Sequence, residues 1–316
     1  MWRYIRRRLL TGLATLFGVS AVVFAMMKLI PGDPVKFLVQ FQQGASRELV
    51  AELQRRYNLD RPVPVQYVLW LTSVVRGDLG RSIVSGIPVK DELFPAVGRT
   101  AVLGLAAMLL AWAVAFPVGL VSAAYRGRAA DAISRVASVI GLSMPSFWVG
   151  LLLLSYFAVR LAWVSPLPPA RISFTSAETW RYLILPAATL GVPNAALVSR
   201  LLRGGLVDVL DQPFITAASA KGLGRSRLLL HHALRIAMTP VLTVMGLQLA
   251  LVLGGAVVVE EVFSWPGLGR LLVQAVNARD LPVVQSVSLA IGAGVILINL
   301  MVDVAYAFID PRIRFS

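Results

Sequence analysis

Side chains that commonly do chemistry are few in this sequence, and their spacing forms no recognisable catalytic site. The only histidines, His231 and His232, are adjacent in the chain of 316 residues. Adjacent residues on a helix point about 100° apart, so this pair cannot chelate one metal ion as an i, i+4 pair does. There is no cysteine, which excludes disulfides and thiolate metal sites. We interpret both histidines as surface or interface residues.

Motifs for phosphate binding and hydrolysis are absent as well. The sequence contains neither a G-x-x-x-x-G-K-S/T phosphate loop nor the H-E-x-x-H and G-x-S-x-G patterns. Since no nucleophile and general base form a plausible pair, the sequence argues against an enzyme. A function in binding or transport has to be carried by larger elements instead.

Composition identifies those elements as membrane helices. Hydrophobic residues make up 57% of the chain, charged residues only 15%, and the mean hydropathy is +0.75. These values are typical of an integral membrane protein. The formal net charge of +14 comes from basic clusters beside apolar runs, without the interleaved aromatic residues of a nucleic-acid surface. We therefore predict no nucleic-acid partner.

Six apolar runs approach the roughly 20 residues that a helix needs to cross a bilayer. They are Leu9–Ile30, Thr100–Tyr125, Val136–Val159, Tyr182–Ser199, Ile236–Val259 and Val283 to about Phe308. The first is too long for the apolar core of a signal peptide and is kept as a span. The fourth is short and contains Pro186 and Pro193, so neighbouring helices, water or a cavity must satisfy the backbone groups that proline frees.

Basic residues flank these spans in an alternating pattern that predicts the orientation. Clusters of arginine and lysine lie before the first span, after the second, after the fourth and after the sixth. By the positive-inside rule, both termini are cytoplasmic. The loop 31–99 is left out of the count, because loops beyond about 60 residues translocate regardless of charge. The positive inner face would meet anionic lipid and any acidic partner surface.

Polar residues inside the spans are candidates for ion coupling. Asp303 lies in the sixth span, with Asn299 one turn before it on the same face, and Gln248 lies in the fifth. An intramembrane acid is a functional candidate by default. Asp303 is close to the inner end of its helix, however, and Arg312 and Arg314 follow it. An ion pair at the interface is therefore an equally good interpretation.

The long loop after the first span is predicted to contain two short helices. The segment SRELVAELQRRYNLD (46–60) has Ser46 as its N-cap, and VPVQYVLWLTSVVRGDLG (63–80) ends in turns at Gly77 and Gly80. The loop could be a lid that packs on the membrane helices or a docking surface for an external partner. The sequence alone favours the lid.

The segment WPGLGR (265–270) contains glycines but lacks the strand context and the spacing of a dinucleotide site. We predict a turn that starts a short interfacial helix, with Trp265 at headgroup depth.

The segment 211–235 is too polar to span the membrane and is predicted to form two short helices. Asp211, Gln212 and Pro213 end the extension of the fourth span, and 214–221 forms the first helix. The short side chains of Ala217, Ala218 and Ala220 would let another protein approach the backbone closely.

A sharp bend is predicted between the two helices. Gly222 and Gly224 permit it because glycine adopts positive φ without penalty. Ser226 would cap the second helix, which runs to Arg235. The result is a knob suited to a groove on a partner.

This segment resembles the cytoplasmic loop E-A-A-x3-G-x9-I-x-L-P of ABC importer permeases, which docks into the ATPase subunit. Matching positions are Thr216, Ala217, Ala218, Gly222, His232, Leu234 and Arg235. Thr replaces Glu, His replaces Ile and Arg replaces Pro. These departures are similar to the variant in the dipeptide, oligopeptide, nickel and glutathione permeases, which commonly reads AKG and HALR, as at 220–222 and 232–235.

Further motifs along nearly the whole chain resemble the first of the two permease subunits in that family. They are LIPGDPV (29–35), GDLGRS (77–82), GLQLALVLGGAVVVEEVFSWPGLGRLL (246–272), RDLPVVQ (279–285) and DPRIR (310–314). The resemblance implies an all-α integral membrane protein with six transmembrane helices, the type I importer fold and a small helical extracytoplasmic insertion. The implied division is 1–30, the extracytoplasmic loop 31–99, and a permease core 100–316 that includes the coupling loop 200–235.

The resemblance also implies partners and sites. The partners are a second homologous permease, two ATP-binding cassette subunits that bind ATP and Mg²⁺, an extracytoplasmic substrate-binding protein and the lipid of a bacterial or archaeal inner membrane. This chain itself would hold no cofactor. Coupling to the ATPase is assigned to Thr216, Ala217, Ala218, Ala220, Lys221, Gly222, Leu223, Gly224, Arg225 and Arg235. Contact with the binding protein is assigned to Asp78, Leu79, Gly80, Arg81 and Ser82.

The alternative hypothesis is a self-sufficient secondary transporter or channel that uses Asp303, in which the basic loop merely holds anionic lipid. Flux driven by an ion gradient through the purified chain, without any ATPase, would distinguish it from a permease subunit.

Overall fold

The computed structural model describes residues 2–29, 51–52, 54–55 and 57–309. Within these residues the regular structure is helical. The helices are α1 (Trp2–Leu29), α2 (Val63–Val75), α3 (Val89–Ala124), α4 (Ala129–Ser143), α5 (Ser146–Leu153, continued by the π-helical turn Leu154–Arg160), α6 (Ala177–Leu210), α7 (Pro213–Ala220), α8 (Arg225–Val262, with a π-helical turn at Leu228–Ala233), α9 (Leu268–Asn277) and α10 (Leu281–Ile309).

Five of these helices are long and apolar enough to cross a membrane. They are α1, α3, α6, α8 and α10, and the bent pair of α4 and α5 gives six if it is counted as one span. The mostly helical membrane fold predicted from the sequence is thus confirmed. Ser46 and the motifs LIPGDPV and DPRIR lie wholly or largely outside the described residues, as do Arg312 and Arg314.

The third predicted span is not one straight helix. α4 ends at Ser143, α5 begins at Ser146, and their axes differ by 105°. Pro145 explains the break, since its ring disfavours helical dihedrals at the residue before it. Met144 accordingly has φ −81° and ψ 129°. The prediction of one continuous helix over Val136–Val159 was therefore wrong.

The fourth predicted span, in contrast, is longer than its sequence indicates. α6 runs without interruption through Pro186 and Pro193, and Ser176 caps it by accepting a hydrogen bond from the Glu178 backbone N–H at 3.2 Å. Its mean hydropathy is 1.4, against 2.1 to 2.2 for the other four long helices, yet 67% of its most apolar window is buried. α6 packs against α4, α5 and α8. Because protein rather than lipid surrounds it, it tolerates prolines and lower hydropathy.

The described residues divide into two compact units, the first formed from Met1–Thr100 and Pro266–Leu300. Its core contains Val89, Leu93 and Val287, which are almost fully buried. α2 is held to α1 by a hydrogen bond of 2.8 Å between the Ser20 and Tyr67 hydroxyls. The long loop between α1 and α3 therefore includes a helix, α2, that packs on α1.

The turns that were predicted at the two glycines after α2 are confirmed. α2 ends at Val75, and Gly77 and Gly80 have φ of 82° and 77°. Of the first predicted loop helix, residues 51, 52, 54 and 55 are helical.

The second unit is formed from Ala101–Trp265 and Met301–Ser316, with α6 among its most buried elements. Trp265 was predicted at headgroup depth, but its side chain is 0% exposed. It stacks on Tyr182 with ring centroids 6.2 Å apart, and the Tyr182 hydroxyl donates to the Phe263 carbonyl. Protein therefore covers this ring, since tryptophan also serves as a core residue when another ring stacks on it, and the depth of Trp265 in the membrane stays a prediction.

Candidate functional site

The first half of segment 211–235 is the helix α7, which matches the predicted boundaries to within one residue. Asp211 ends α6, and Gln212 is extended with φ −77° and ψ 145°. The following Pro213 favours that conformation at Gln212 and then starts the new helix. Ile215 anchors α7 in the core, being only 5% exposed.

The bend after α7 depends on one glycine rather than two. Gly222 has φ +88°, and its N–H donates to the Ser219 carbonyl at 2.9 Å. Gly224 has φ −65° and ψ 148°, which any residue can adopt. The prediction of a sharp turn is confirmed at Gly222, and the conformational role given to Gly224 was wrong.

The second predicted short helix is in fact the beginning of a long one. α8 starts at Arg225 and continues to Val262, past the expected end at Arg235. Gly224 occupies the N-cap position, whereas Ser226 lies within the first turn and makes no capping bond. Residues 225–235 contain neither proline nor glycine, so the polar start and the apolar span form one continuous helix, which also runs through Pro240.

Two contacts tie this segment to the turn that follows α3. The guanidinium of Arg126 donates from one nitrogen to both carboxylate oxygens of Asp211, at 2.9 and 2.8 Å. Arg225 donates to the Ala124 backbone carbonyl. The ends of α6 and α8 are thereby fixed to the end of α3.

The residues assigned to coupling are largely accessible on the surface. Exposed members are Thr216, Ala217, Ala220, Lys221, Gly222, Gly224, Arg225 and Arg235, and Ala218 and Leu223 are half-buried. A groove of about 560 Å³ follows the bend and is lined by residues 221–227. Three of these seven residues are Lys221, Arg225 and Arg227, so the groove suits an acidic partner surface.

Asp131 is a buried residue of this region that the sequence reading did not single out. Its carboxylate accepts from the Arg203 guanidinium at 2.5 and 2.9 Å, from the Ser122 hydroxyl at 2.7 Å and from the Gly127 N–H at 3.0 Å. These groups belong to α6, to α3 and to the turn before α4. One carboxylate therefore joins three elements, and only the basic character of the surrounding loop hinted at it.

His231 and His232 are both exposed on the π-helical turn of α8. Within the described residues no cluster of His, Cys, Asp or Glu could hold a metal ion. The arrangement thus fits the reading of the histidines as surface residues.

The predicted contact residues 78–82 lie in a loop with a defined conformation. The Asp78 carboxylate accepts from the Gly80 N–H at 2.9 Å, and the Arg81 guanidinium donates to the Gly86 carbonyl at 2.9 Å. Asp78, Gly80 and Arg81 are exposed, and Leu79 is half-buried.

Ser82 differs from its neighbours in this loop because its side chain is buried. Its hydroxyl donates to the carboxylate of Asp280, which also accepts from the Ile83 N–H at 3.2 Å. The motifs GDLGRS and RDLPVVQ, far apart in sequence, thus meet at Asp280. Ser82 is placed to fix the loop rather than to present its own side chain.

The three polar residues predicted inside the spans differ in their exposure. Gln248 is 2% exposed, and its amide N–H donates to the Asn194 carbonyl at 3.3 Å. Asn299 is exposed on α10, whereas Asp303 is half-buried.

Known proteins resemble this chain over its whole length. The family described as binding-protein-dependent transport system inner membrane component matches residues 115–315, and the N-terminal part of such membrane components matches residues 1–87. The glutathione transport system permease protein GsiC of Escherichia coli O6:H1 is 41% identical over 318 residues, covering 100% of both chains. The proteins of that name from Salmonella typhimurium and E. coli K12 are 40% identical with the same coverage.

Solved structures agree on the fold. A structure of the MetNI methionine ABC transporter in an inward-facing conformation matches with a TM-score of 0.58, 17% identity, and coverage of 71% of this chain and 98% of that one. A second crystal form matches with a TM-score of 0.55. At such identity the likeness concerns the fold alone. By its sequence matches, the chain belongs to the family of binding-protein-dependent transport system inner membrane components, and it is a permease subunit of an ABC importer.

Proposed function

We propose that this permease imports short peptides or related small solutes, and that residues 211–235 receive the movement of an ATPase subunit. Relatives named for glutathione transport, 40 to 41% identical over the full chain, support a peptide-like solute. Glutathione itself is the first solute to test. No phosphate loop occurs in the sequence, so the energy of ATP is supplied by partner subunits, which hold ATP and Mg²⁺.

The proposed coupling role rests on one observation, which is that α7 has short connections at both ends. Asp211 and Gln212 alone separate it from α6, and residues 221–224 separate it from α8. The ion pair of Arg126 with Asp211 fixes one end, and the bond from Arg225 fixes the other. Since no long linker can absorb a displacement, pushing α7 tilts two long apolar helices together.

The assembly that follows has a second homologous permease, two ATPase subunits and an extracytoplasmic binding protein. An acidic groove on the ATPase would hold α7 and the basic bend, and the exposed Asp78, Gly80 and Arg81 would contact the binding protein. Both termini lie in the cytoplasm in this arrangement. Nucleotide-driven closure of the ATPase pair then biases a two-state change between outward and inward access.

The decisive experiment replaces Gly222 by proline in the assembled complex. Proline fixes φ near −65° and removes the N–H, whereas Gly222 needs φ +88° and donates to Ser219. We expect the complex to insert and hydrolyse ATP while uptake of labelled glutathione or dipeptide falls to background. Gly222→Ala should show a milder form of the same defect, since a left-handed residue costs about 1 to 2 kcal/mol.

Gly98→Ala, on α3 and outside the segment 211–235, is the matched control. A Cβ there meets no atom within 4 Å. Uptake should therefore stay normal. Full uptake by Gly222→Pro would refute the coupling role.

Family membership leaves the hypothesis of a self-sufficient secondary transporter using Asp303 without support. Reconstitution of the chain alone should give no flux under an ion gradient. Addition of the ATPase subunits and the second permease should be needed for transport.

A further inference from the structure

A basic pocket lies between α3, α4 and α6, within the second unit, and none of the functions above uses it. Its volume is about 280 Å³, and its lining consists of four serines, three arginines and two valines. The arginines are Arg135 on α4 and Arg200 and Arg203 on α6. Small serine side chains leave the space that the guanidinium groups surround.

The pocket holds an excess of positive charge. Arg203 donates through two of its three nitrogens to Asp131, whose carboxylate also accepts from Ser122 and Gly127. Arg135 approaches the same carboxylate only at 3.7 Å, and its side chain is 58% exposed. Arg200 is exposed and forms no ion pair with any residue in the described ranges. Two guanidinium groups are thus available to an anion.

The pocket continues into an apolar surface. Val139 lines it, lies one turn after Arg135 on α4 and is 55% exposed. Val136 and Ile140 beside it are 58% and 46% exposed. A soluble anion would use only the guanidinium groups, whereas an amphiphile would use both surfaces. The combination therefore favours a ligand with a negative headgroup and acyl chains.

The geometry points to this pocket as a binding site for the phosphate headgroup of an anionic phospholipid. Arg135 and Arg200 hold the phosphate, and the acyl chains lie along Val136, Val139 and Ile140. Basic pockets between membrane helices on the cytoplasmic side bind such headgroups. The assignment to the inner leaflet rests on the proposed orientation of the chain, and the site itself depends on neither the transported solute nor the coupling role.

A bound lipid would bridge α4 and α6. Since α6 leads into α7 through only Asp211 and Gln212, occupancy of the site would stiffen the helix that the coupling segment moves.

The test compares lipid binding by the full chain, purified with its partner subunits, in nanodiscs of phosphatidylcholine containing a minor fraction of phosphatidylglycerol. Native mass spectrometry counts the phosphatidylglycerol molecules that stay bound after the complex is released from the nanodisc. The double variant Arg135→Gln, Arg200→Gln should lower the preference for phosphatidylglycerol by about tenfold or more, because each basic residue near the surface contributes roughly 1 kcal/mol. Arg135→Lys, Arg200→Lys should retain much of it.

Arg128→Gln is the matched control, since Arg128 is exposed at the start of the same helix but does not line the pocket. It should leave the preference unchanged. The double variant and the control both leave the pair of Asp131 with Arg203 unchanged. Size-exclusion chromatography checks that each variant still assembles. Inorganic phosphate at millimolar concentration should not displace the lipid.

Three results would overturn the proposal. One is equal retention of phosphatidylcholine and phosphatidylglycerol by the unaltered protein. Another is an unchanged preference in the double glutamine variant. The third is displacement by inorganic phosphate, which would identify a site for a soluble anion. The Gly222 experiment is independent of all three, because it measures uptake rather than lipid.

Discussion

Asp131 shows how one buried carboxylate can organise several membrane helices. It is 1% exposed and accepts hydrogen bonds from Arg203, Ser122 and Gly127. Such a pair need not add net stability, because both charges lose hydration on burial. Removing one partner is different, since the other charge then remains buried without compensation.

Asp131→Asn should therefore destabilise the protein strongly. The change leaves Arg203, only 22% exposed, without its counter-charge, and a loss of about 3 to 5 kcal/mol is expected. Thermal unfolding of the purified chain in detergent measures it. Asp211→Asn is the control. The side chains of Arg126 and Asp211 are 53% and 61% exposed, so their ion pair should contribute less than about 1 kcal/mol. Equal losses in the two variants would contradict this account of Asp131.

At the scale of elements, α6 depends on close helix packing. Gly191 lies where a Cβ would be 2.9 Å from the Ala107 carbonyl oxygen of α3. That neighbour is backbone and cannot rotate away. A small residue here lets the two helices approach more closely than larger side chains allow.

Gly191→Ala should accordingly destabilise the protein by roughly 1 to 3 kcal/mol, the usual cost of overpacking. Gly204→Ala on the same helix is the control, since a Cβ there meets no atom within 4 Å. We expect it to be neutral or slightly stabilising because alanine is a better helix former than glycine. Thermal unfolding in detergent compares the two, and equal stability of both variants would show that α3 and α6 are not in close contact at Gly191.

At the scale of the whole molecule, importing solute requires a surface for an external partner. The loop 78–82 offers three exposed residues, held in place through the bond of Ser82 to Asp280. Loops that a rigid scaffold positions in this way are common binding surfaces.

A photo-crosslinking residue at Arg81 should capture the binding protein when it is added to the complex in nanodiscs. The same residue at Arg128 should not, because that position is predicted on the cytoplasmic side. Gel shift with mass spectrometry identifies the product. Capture from Arg128 alone would mean that the proposed orientation is inverted.

Local sequence was sufficient to place most of the long helices and the first half of segment 211–235. Runs of apolar residues set the long helices because a bilayer demands a certain apolar length. Pro213 and Gly222 fixed the start of α7 and the bend after it, since both act through the dihedrals of their own residues.

The surroundings of a helix or side chain, in contrast, could not be predicted from its neighbours along the chain. The hydropathy of α6 understated its length because protein surrounds it, and Trp265 has a ring partner, Tyr182, that is distant in sequence. The pair of Asp131 with Arg203 joins residues 72 apart, and that of Ser82 with Asp280 joins residues 198 apart. The sequence by itself thus determined the membrane class, most of the long helices and the polar segment 211–235. Only the tertiary structure decided which faces are covered and which charges are paired, because both depend on contacts between residues far apart along the chain.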